Sequence, residues 1–529
     1  MKELVYPRLF LPASERFSTR AAVVDGDYRA TYAEHAARVL RLAGGLRELG
    51  VGRRDRFAVM SANSHQFLEL YHAAYIGAGV VNPLNLRLAG AELRFILEDS
   101  GTEVVFVDEL FSAHLLNSLS GALPDLKIVY LGRPGRAAEL GADGQPGQGR
   151  HLLDYEELLS GSTPVTPEEP EEDDPVILMY TGGTTGRPKG VVLDQRAEML
   201  NLYHIAYTFG LGDQRVYLHQ TPMFHAASIG GVMGIPASGG VSVCIPMFDP
   251  AAVMQASEDN AVNWTVMVPT MISMVLDHPD FRPERLASLR DLVYGASPMP
   301  AALVDRLIST FPELNIWQGY GMTESASVLT VLDAADHRRG GDRLRSAGRP
   351  AMGVVVSIQN EKGEHVPPGV EGEVCARAGN LMTEYWHRPE ETEEAFRGGW
   401  YHTGDAGRLD EEGYLFLVDR VKDMIVTGGE NVYSVEVENA ISTYPGVSQV
   451  AVIGIPDEKW GEAVHAIIVM DKGASATAEQ LQEHARKSIA GYKVPKSIEF
   501  RDEPLPLSGA MKVLKRDLRA PYWSDSDQK

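Results

Sequence analysis

A chain of 529 residues is too long for one ordinary hydrophobic core, so two or more domains are expected. Its 44% apolar and 23% charged residues are those of a water-soluble globular protein, and a formal charge of −23 argues against nucleic acid or an anionic membrane as the main partner. Cys244 and Cys375 are too few for a disulfide framework or a zinc site, and each reads as a small buried apolar residue rather than a nucleophile. The opening MKELVYPRLF lacks the apolar core of a signal peptide. The uncharged stretch from Thr221 to Phe248 is broken by Pro222, Pro236 and Pro246, which argues for a buried helix and strand rather than a membrane span. A cytoplasmic protein is expected.

In chain order, Thr31 precedes a helical pattern from Tyr32 to Leu49 that ends at Gly50. Arg56 to Met60 reads as a strand, Phe67 to Ile76 as a helix, Val80 to Leu84 as a strand, Ala91 to Asp99 as a helix and Val104 to Val107 as a strand. This alternation predicts a parallel sheet with helices on its faces. Asn82, Pro83 and Asn85 read as structural turn residues, and the acidic run Pro167 to Asp174 as a solvated connector.

Next comes TGGTTGRPKG, Thr181 to Gly190, between two apolar runs of strand length. Gly182, Gly183 and Gly186 let the backbone turn tightly and aim N–H groups at an anion. Thr181, Thr184 and Thr185 add hydroxyl donors, and Lys189 a point charge. Arg187 stands where a Walker loop needs lysine, and a strand follows rather than a helix, so this is a phosphate-binding loop of another kind.

Glu198 to Phe209 reads as a helix and Val216 to Leu218 as a strand that delivers PMFHAAS. His225 stands at its exit, followed by Ser228, Gly230, Gly231 and Gly234. A helix face of glycine and serine costs stability and leaves volume beside it, which an apolar ligand would fill. A strand from Leu289 to Tyr294 ends in Gly295, Ala296 and Ser297, at the carboxyl end where α/β sheets place ligands. QGYGMTES follows from Gln318 to Ser325. Gly319 and Gly321 flank Tyr320, whose ring suits a flat ligand, and after Met322 come Thr323 and Glu324, suited to phosphate and Mg²⁺. Val354 to Val374 reads as a small β region. Trp400 to Arg420 reads as a hairpin, with Asp405 in a tight glycine turn fit for ribose hydroxyls. The last hundred or so residues alternate strands and helices as a small α+β domain with a basic tail, whose Lys512, Lys515 and Arg516 read by themselves as solvated.

Four pieces in this order, YTGGTTGRPKG, QGYGMTE, YHTGDAGRL with DRVKDMI, and LPLSGAMKVLKR, resemble the adenylate-forming superfamily of acyl-CoA synthetases, nonribosomal adenylation domains and luciferases. The resemblance spans nearly the whole chain. It implies an α/β fold: a large N-terminal domain, residues 1–420, of two doubly wound sheets plus a small β-barrel-like region, and a small mobile α+β domain, residues 421–529. It implies that ATP and a carboxylic acid give an acyl-adenylate, that Mg²⁺ assists, and that coenzyme A then takes the acyl group. By motif, Thr181 to Lys189 would hold the β- and γ-phosphates, Thr323 the α-phosphate and Glu324 the metal. Gly295 to Ser297, with Gln318 to Met322 around Tyr320, would form the adenine slot. Asp405 and Arg420 would bind ribose, Lys422 would be the hinge, and Gly428, Gly429 and Glu430 would line the thiol tunnel. Lys512, Glu324, Thr181 and His225 would act in catalysis, with His225, Ser228, Gly230, Gly231 and Gly319 around the acid.

The expected partners are a small-molecule acid, ATP and coenzyme A, with a second copy of the chain, as a homodimer, a further candidate. The wide apolar lining expected behind His225 points to a long-chain or bulky polycyclic, terpenoid-like acid. One departure stands out: Met511 occupies the place of the family's glycine before the catalytic lysine. If that residue has φ > 0, methionine costs about 1–2 kcal/mol there. That departure gives one alternative reading, an enzyme confined to thioester formation from a preformed acyl-adenylate. A luciferase-like oxygenase, which would share every motif, and a non-enzymatic acyl-nucleotide binder are the others. Met511→Gly is expected to raise the rate of pyrophosphate release; an unchanged rate in both forms removes the reason to treat Met511 as an impediment.

Overall fold

The structure is a computed structural model that describes residues 3–119, 121–142, 149–181, 188–296, 299–420, 425–427, 430–457, 460–507 and 513–523. Helix Tyr32–Glu48 begins in a capping box: the Thr31 hydroxyl accepts from the Glu34 amide, and the Glu34 carboxylate accepts from the Thr31 amide. The chain leaves it through Gly50 at φ +87°, a left-handed exit that suits glycine. The helix expected from Phe67 to Ile76 runs instead as His65–Ala73, started by a Ser64 cap, and widens into a π-turn, Ala74–Ala78, with Gly77 at φ +100°.

Two large mixed sheets follow from the alternating pattern. In the first, Val80–Pro83, Arg56–Met60, Val104–Val107, Lys127–Tyr130 and Leu152–Asp154 run parallel beside Pro175–Thr181. Lys189–Asp194 then turns back antiparallel to complete the hairpin that holds the glycine loop. In the second, Ala21–Asp25, Val241–Cys244, Val216–His219, Trp264–Met267, Asp291–Gly295 and Asn315–Tyr320 run parallel, with antiparallel strands at both edges. Their buried strands are near-continuous apolar runs, as sheets covered on both faces require.

The expected β-barrel-like region is a four-stranded antiparallel sheet, Val355–Gln359, Gly372–Arg377, Tyr401–Leu409 and Leu415–Arg420. Beyond it lies a separate five-stranded sheet built on Val447–Asp457 and Gly461–Met470, carrying helices Ser434–Ser442 and Ala478–Ala485. No helix of the described residues is long and apolar enough to cross a membrane.

The acidic connector is not simply solvated. Asp174 is 1% exposed and takes salt bridges from Arg53 at 2.8 Å and Arg54 at 2.9 Å. Glu172 accepts from the amides of Glu3 and Leu4, and Glu169 pairs with Arg8. A run of acids that reads as surface charge therefore fastens the N-terminus to the first sheet.

Helix Gln195–Phe209 starts three residues earlier than its pattern predicts, capped by Asp194, so Glu198 faces inward. The Tyr75 hydroxyl donates to Glu198 Oε2 at 3.2 Å. Burial, with some repulsion from Asp194, pushes the Glu198 carboxyl up to about 8. The folded chain thus keeps a proton that the unfolded chain releases near 4.5, so this group's contribution to stability falls as pH rises from about 4.5 to about 8. Glu198→Gln keeps the acceptor for Tyr75 and removes the titration. Its melting temperature is expected to exceed the parent's by roughly 2–4 °C at pH 8, the gap closing towards pH 4.5. A gap independent of pH in thermal melts would count against the buried neutral acid.

Candidate active site

The carboxyl ends of strands Asp291–Gly295 and Asn315–Tyr320 open into a cavity of about 1880 Å³. The two strands pair in parallel with Gly295 opposite Gly319. A Cβ on Gly295 would stand 2.5 Å from the Gly319 carbonyl oxygen, so this close approach needs glycine. A Cβ on Gly319 would meet nothing within 4 Å, because that face of the strand is the cavity wall. Ala296 follows at φ +68°.

Tyr320 and Asp405 meet directly, the phenol donating to Asp405 Oδ2 at 2.7 Å. Asp405 does not sit in a tight turn as expected: it lies within strand Tyr401–Leu409, in register with Arg420 across the hairpin. The turn-like residue is its neighbour Gly404, at φ +72°. Thr323 and Glu324 form a short 3₁₀ turn at the end of the strand-and-turn segment. Glu324 Oε1 accepts from the Tyr385 hydroxyl at 3.0 Å, and the Glu324 carbonyl accepts from the Met382 amide at 2.7 Å.

Tyr385 links the strand pair Pro175–Thr181 and Lys189–Asp194 to Glu324. Its two-residue strand, Glu384–Tyr385, pairs antiparallel with Lys189–Asp194, and Thr181 pairs in register with Lys189. The Lys189 ammonium lies 5.1 Å from the Tyr385 ring centroid and pairs with Glu391. Thr181, Lys189, Tyr385 and Glu324 thus stand on one side of the cavity. Burial, together with the Glu324 charge, raises the Tyr385 hydroxyl well above its usual range, so it remains a donor.

His225 caps the short turn Ala226–Ser228, with Nδ1 accepting from the Ala227 amide at 3.2 Å. In the neutral ring that places the proton on Nε2. Ser228 is not on the cavity wall: it is 1% exposed and donates to the Met223 and His225 carbonyls. The glycine face behind His225 is filled more than its sequence suggests. A Cβ on Gly230 would lie 2.6 Å from Ile205, and one on Gly231 2.3 Å from the ring of Tyr217. Glycine here lets neighbouring side chains close in, while the backbone of Gly230 and Gly231 still borders the cavity. The open apolar lobe is bounded instead by Ile205, Phe209, Trp264, Val266 and Val293. Gly231→Ala is therefore expected to destabilise the fold by about 1–3 kcal/mol in denaturant melts and to lower activity on small and large acids alike. A loss confined to large acids would return Gly231 to the role of a substrate gate.

Cys244 and Cys375 are both buried, as composition suggested. Burial and the Glu373 charge push the Cys375 thiol up to about 12, even though His402 Nδ1 lies 3.3 Å away, so no thiolate is offered. From the C-terminal side, Val513 and Leu514 border the cavity, and the Tyr433 hydroxyl donates to Glu371 at 3.0 Å. Lys515 is not a solvated charge but pairs with Glu438 at 2.7 Å.

Gly182, Gly183, Thr184, Thr185, Gly186, Ser297, Lys422, Gly428, Gly429, Met511 and Lys512 lie outside the described residues. Arg420 and Glu430 are placed by their strands alone. The structure brings together Thr181, Lys189, His225, Gly295, Ala296, Tyr320, Thr323, Glu324 and Asp405 around one cavity. It adds Tyr385 and Glu391, which sequence reasoning missed. A two-residue strand is too short to show alternation, and Glu391 sits in a helix, Pro389–Ala395, whose acids read as surface.

Residues 10–386 match the family described as AMP-binding enzyme, and residues 436–512 match its C-terminal domain. Over 502 residues the chain is 39% identical to a feruloyl-CoA synthase of an Amycolatopsis species, covering 94% of this chain and 95% of that one. It is 36% identical over 497 residues to the long-chain-fatty-acid–CoA ligase FadD13 of Mycobacterium tuberculosis, covering 94% of each. The crystal structure of ATP-bound MatB from Rhodopseudomonas palustris aligns with a TM-score of 0.85 at 28% identity, covering 99% of each chain.

Proposed function

The chain belongs to the AMP-binding enzymes, the acyl-CoA synthetase branch of the adenylate-forming superfamily, and on that premise we propose that it activates a hydrophobic carboxylic acid for transfer to coenzyme A. It is an AMP-forming acid–thiol ligase that binds ATP and AMP. The observation that carries the choice of acid is the apolar lobe beside Gly319. Ile205, Phe209, Trp264, Val266 and Val293 offer contact area and no charge that would pair with a second carboxylate. The relatives named for ferulate and for long-chain fatty acids fit the same reading, an aryl or long-chain acid. Because the relatives are named as CoA ligases and synthetases, a luciferase-like oxygenase, a thioester-only enzyme and a non-enzymatic binder are not favoured.

The chemical problem is to bring a carboxylate against a phosphate, two anions whose repulsion cations and donors must offset in the transition state. Thr181 and Lys189 would hold the outer phosphates and Thr323 the inner one. Glu324 fits a hard cation: it is a half-buried carboxylate at the cavity wall, oriented by Tyr385. Mg²⁺ bound there would supply charge neutralisation. Asp405, aligned by the Tyr320 hydroxyl, would take the ribose hydroxyls. His225, with Nε2 protonated, would border the acid. Lys512 would reach the reacting groups from the C-terminal part, residues 421–529, which we take as the moving unit against residues 1–420. Gly428, Gly429 and Glu430 would admit the coenzyme A thiol after that movement.

The deciding experiment is a panel of acids from acetate to aryl and long-chain acids, with pyrophosphate and acyl-CoA followed separately. Preference for the large apolar acids in both signals supports the reading. Acetate turned over best would reject the apolar lobe as the acid site.

A further inference from the structure

Strands Gly372–Arg377 and Tyr401–Leu409 carry a cluster of side chains that the nucleotide and acid readings leave unused. Glu373 and Cys375, two residues apart on one strand, face the same side, and Cys375 pairs across the ladder with His402. The register shifts between Glu373 and Cys375, an irregularity of the kind that re-aims side chains beside active sites. Glu373 Oε2 lies 2.8 Å from His402 Nδ1, and Cys375 Sγ lies 3.3 Å from the same nitrogen. The three ligand-type atoms all lie within 4.8 Å of one another. On the far side of the ring, His402 Nε2 lies 3.2 Å from the Arg397 carbonyl oxygen. A carbonyl can only accept, so in the neutral ring Nε2 carries the proton and Nδ1 turns a lone pair towards the thiol and the carboxylate. Metal-bound histidines are held in this way, one nitrogen donating to a backbone carbonyl and the other facing the cation.

We propose that Glu373, Cys375 and His402 form a site for a borderline-soft divalent cation, Zn²⁺ first among them. Sulfur and imidazole ligands select against Mg²⁺, which takes oxygen, so this site and the carboxylate of Glu324 sort two kinds of metal. A tetrahedral Zn²⁺ holds one sulfur, one nitrogen and one oxygen about 3.4–3.6 Å apart, so the cluster needs an opening of about 0.6 Å between His402 and Glu373. Cys375 is buried, while Glu373 and His402 border the cavity, which leaves the fourth position to water. Glu373 keeps its other oxygen on the Gly404 amide at 3.2 Å. The resident competitor is Arg397, whose Nη2 lies 2.6 Å from Glu373 Oε2. On binding, S–Zn, N–Zn and O–Zn bonds form, the Cys375 thiol proton passes to solvent, and the Arg397–Glu373 ion pair opens.

The test needs no turnover: the whole protein, stripped with a chelator, is titrated with Co²⁺ and then with Zn²⁺. One equivalent of Co²⁺ is expected to raise a thiolate-to-cobalt charge-transfer absorption, which Zn²⁺ abolishes and excess Mg²⁺ leaves in place. Cys375→Ser is expected to lose the absorption and to weaken Zn²⁺ binding about 100-fold, while Cys244→Ser keeps both. Arg397→Met removes the competing cation, and its Zn²⁺ affinity is expected to rise about tenfold, a gain that a misfolded variant would not show. No absorption from the parent, or an absorption that survives Cys375→Ser, overturns the site. Unchanged Zn²⁺ affinity in Arg397→Met overturns the three-ligand arrangement by removing Glu373 from it.

Discussion

Gly319→Leu is expected to lower kcat/KM for aryl and long-chain acids by about 10–200-fold while sparing acetate and propionate. The residue needs no left-handed backbone, and a Cβ there meets no atom within 4 Å, so the substitution costs the fold little. What it removes is cavity. The new side chain would project into the space between the strand end and the lobe of Phe209, Trp264 and Val293. Because Gly319 neighbours Tyr320, the KM for ATP is the control: it should move little. Equal losses for all acids, or a loss that tracks the KM for ATP, would place the acid elsewhere in the cavity.

Glu324→Gln is expected to slow ATP–pyrophosphate exchange about 10²–10³-fold at saturating substrates, with a higher Mg²⁺ requirement. The substitution is nearly isosteric, and the amide oxygen can still accept from Tyr385, so the melting temperature should stay close to the parent's. The loss therefore reports on charge at the cavity rather than on folding. Parental exchange rates with an unaltered Mg²⁺ dependence would remove Glu324 from the metal-holding role.

The parallel sheets were legible because their signal is local: apolar runs of strand length alternate with helical patterns, and glycine or capping residues mark the joins. The site was legible wherever its residues cluster in one stretch, as in Gln318 to Glu324. Contacts that cross the fold were not. Tyr385 reaches Glu324 from 61 residues away, and Asp174 meets Arg53 from 121 away, through pairings that no periodicity encodes. The glycines after His225 misled for a related reason. A missing side chain signals close approach or open space equally well, and only the positions of Ile205 and Tyr217 decide between them.

Lys189 pairs with Glu391, and in the proposed phosphate-holding role that ion pair would bear on turnover as well as on binding. If Lys189 holds the outer phosphates, nucleotide entry is an exchange of one anion for another, and part of the gross attraction goes to separating the ammonium from its resident carboxylate. The same exchange runs in reverse once pyrophosphate is cut free. A tethered carboxylate at high local concentration then competes for the lysine, hastening the departure of a dianionic or more highly charged product that would otherwise cling to the loop. Weak capture and fast discharge would then be two faces of one side chain, with the acidic helix Pro389–Ala395 holding the built-in counter-ion of Lys189.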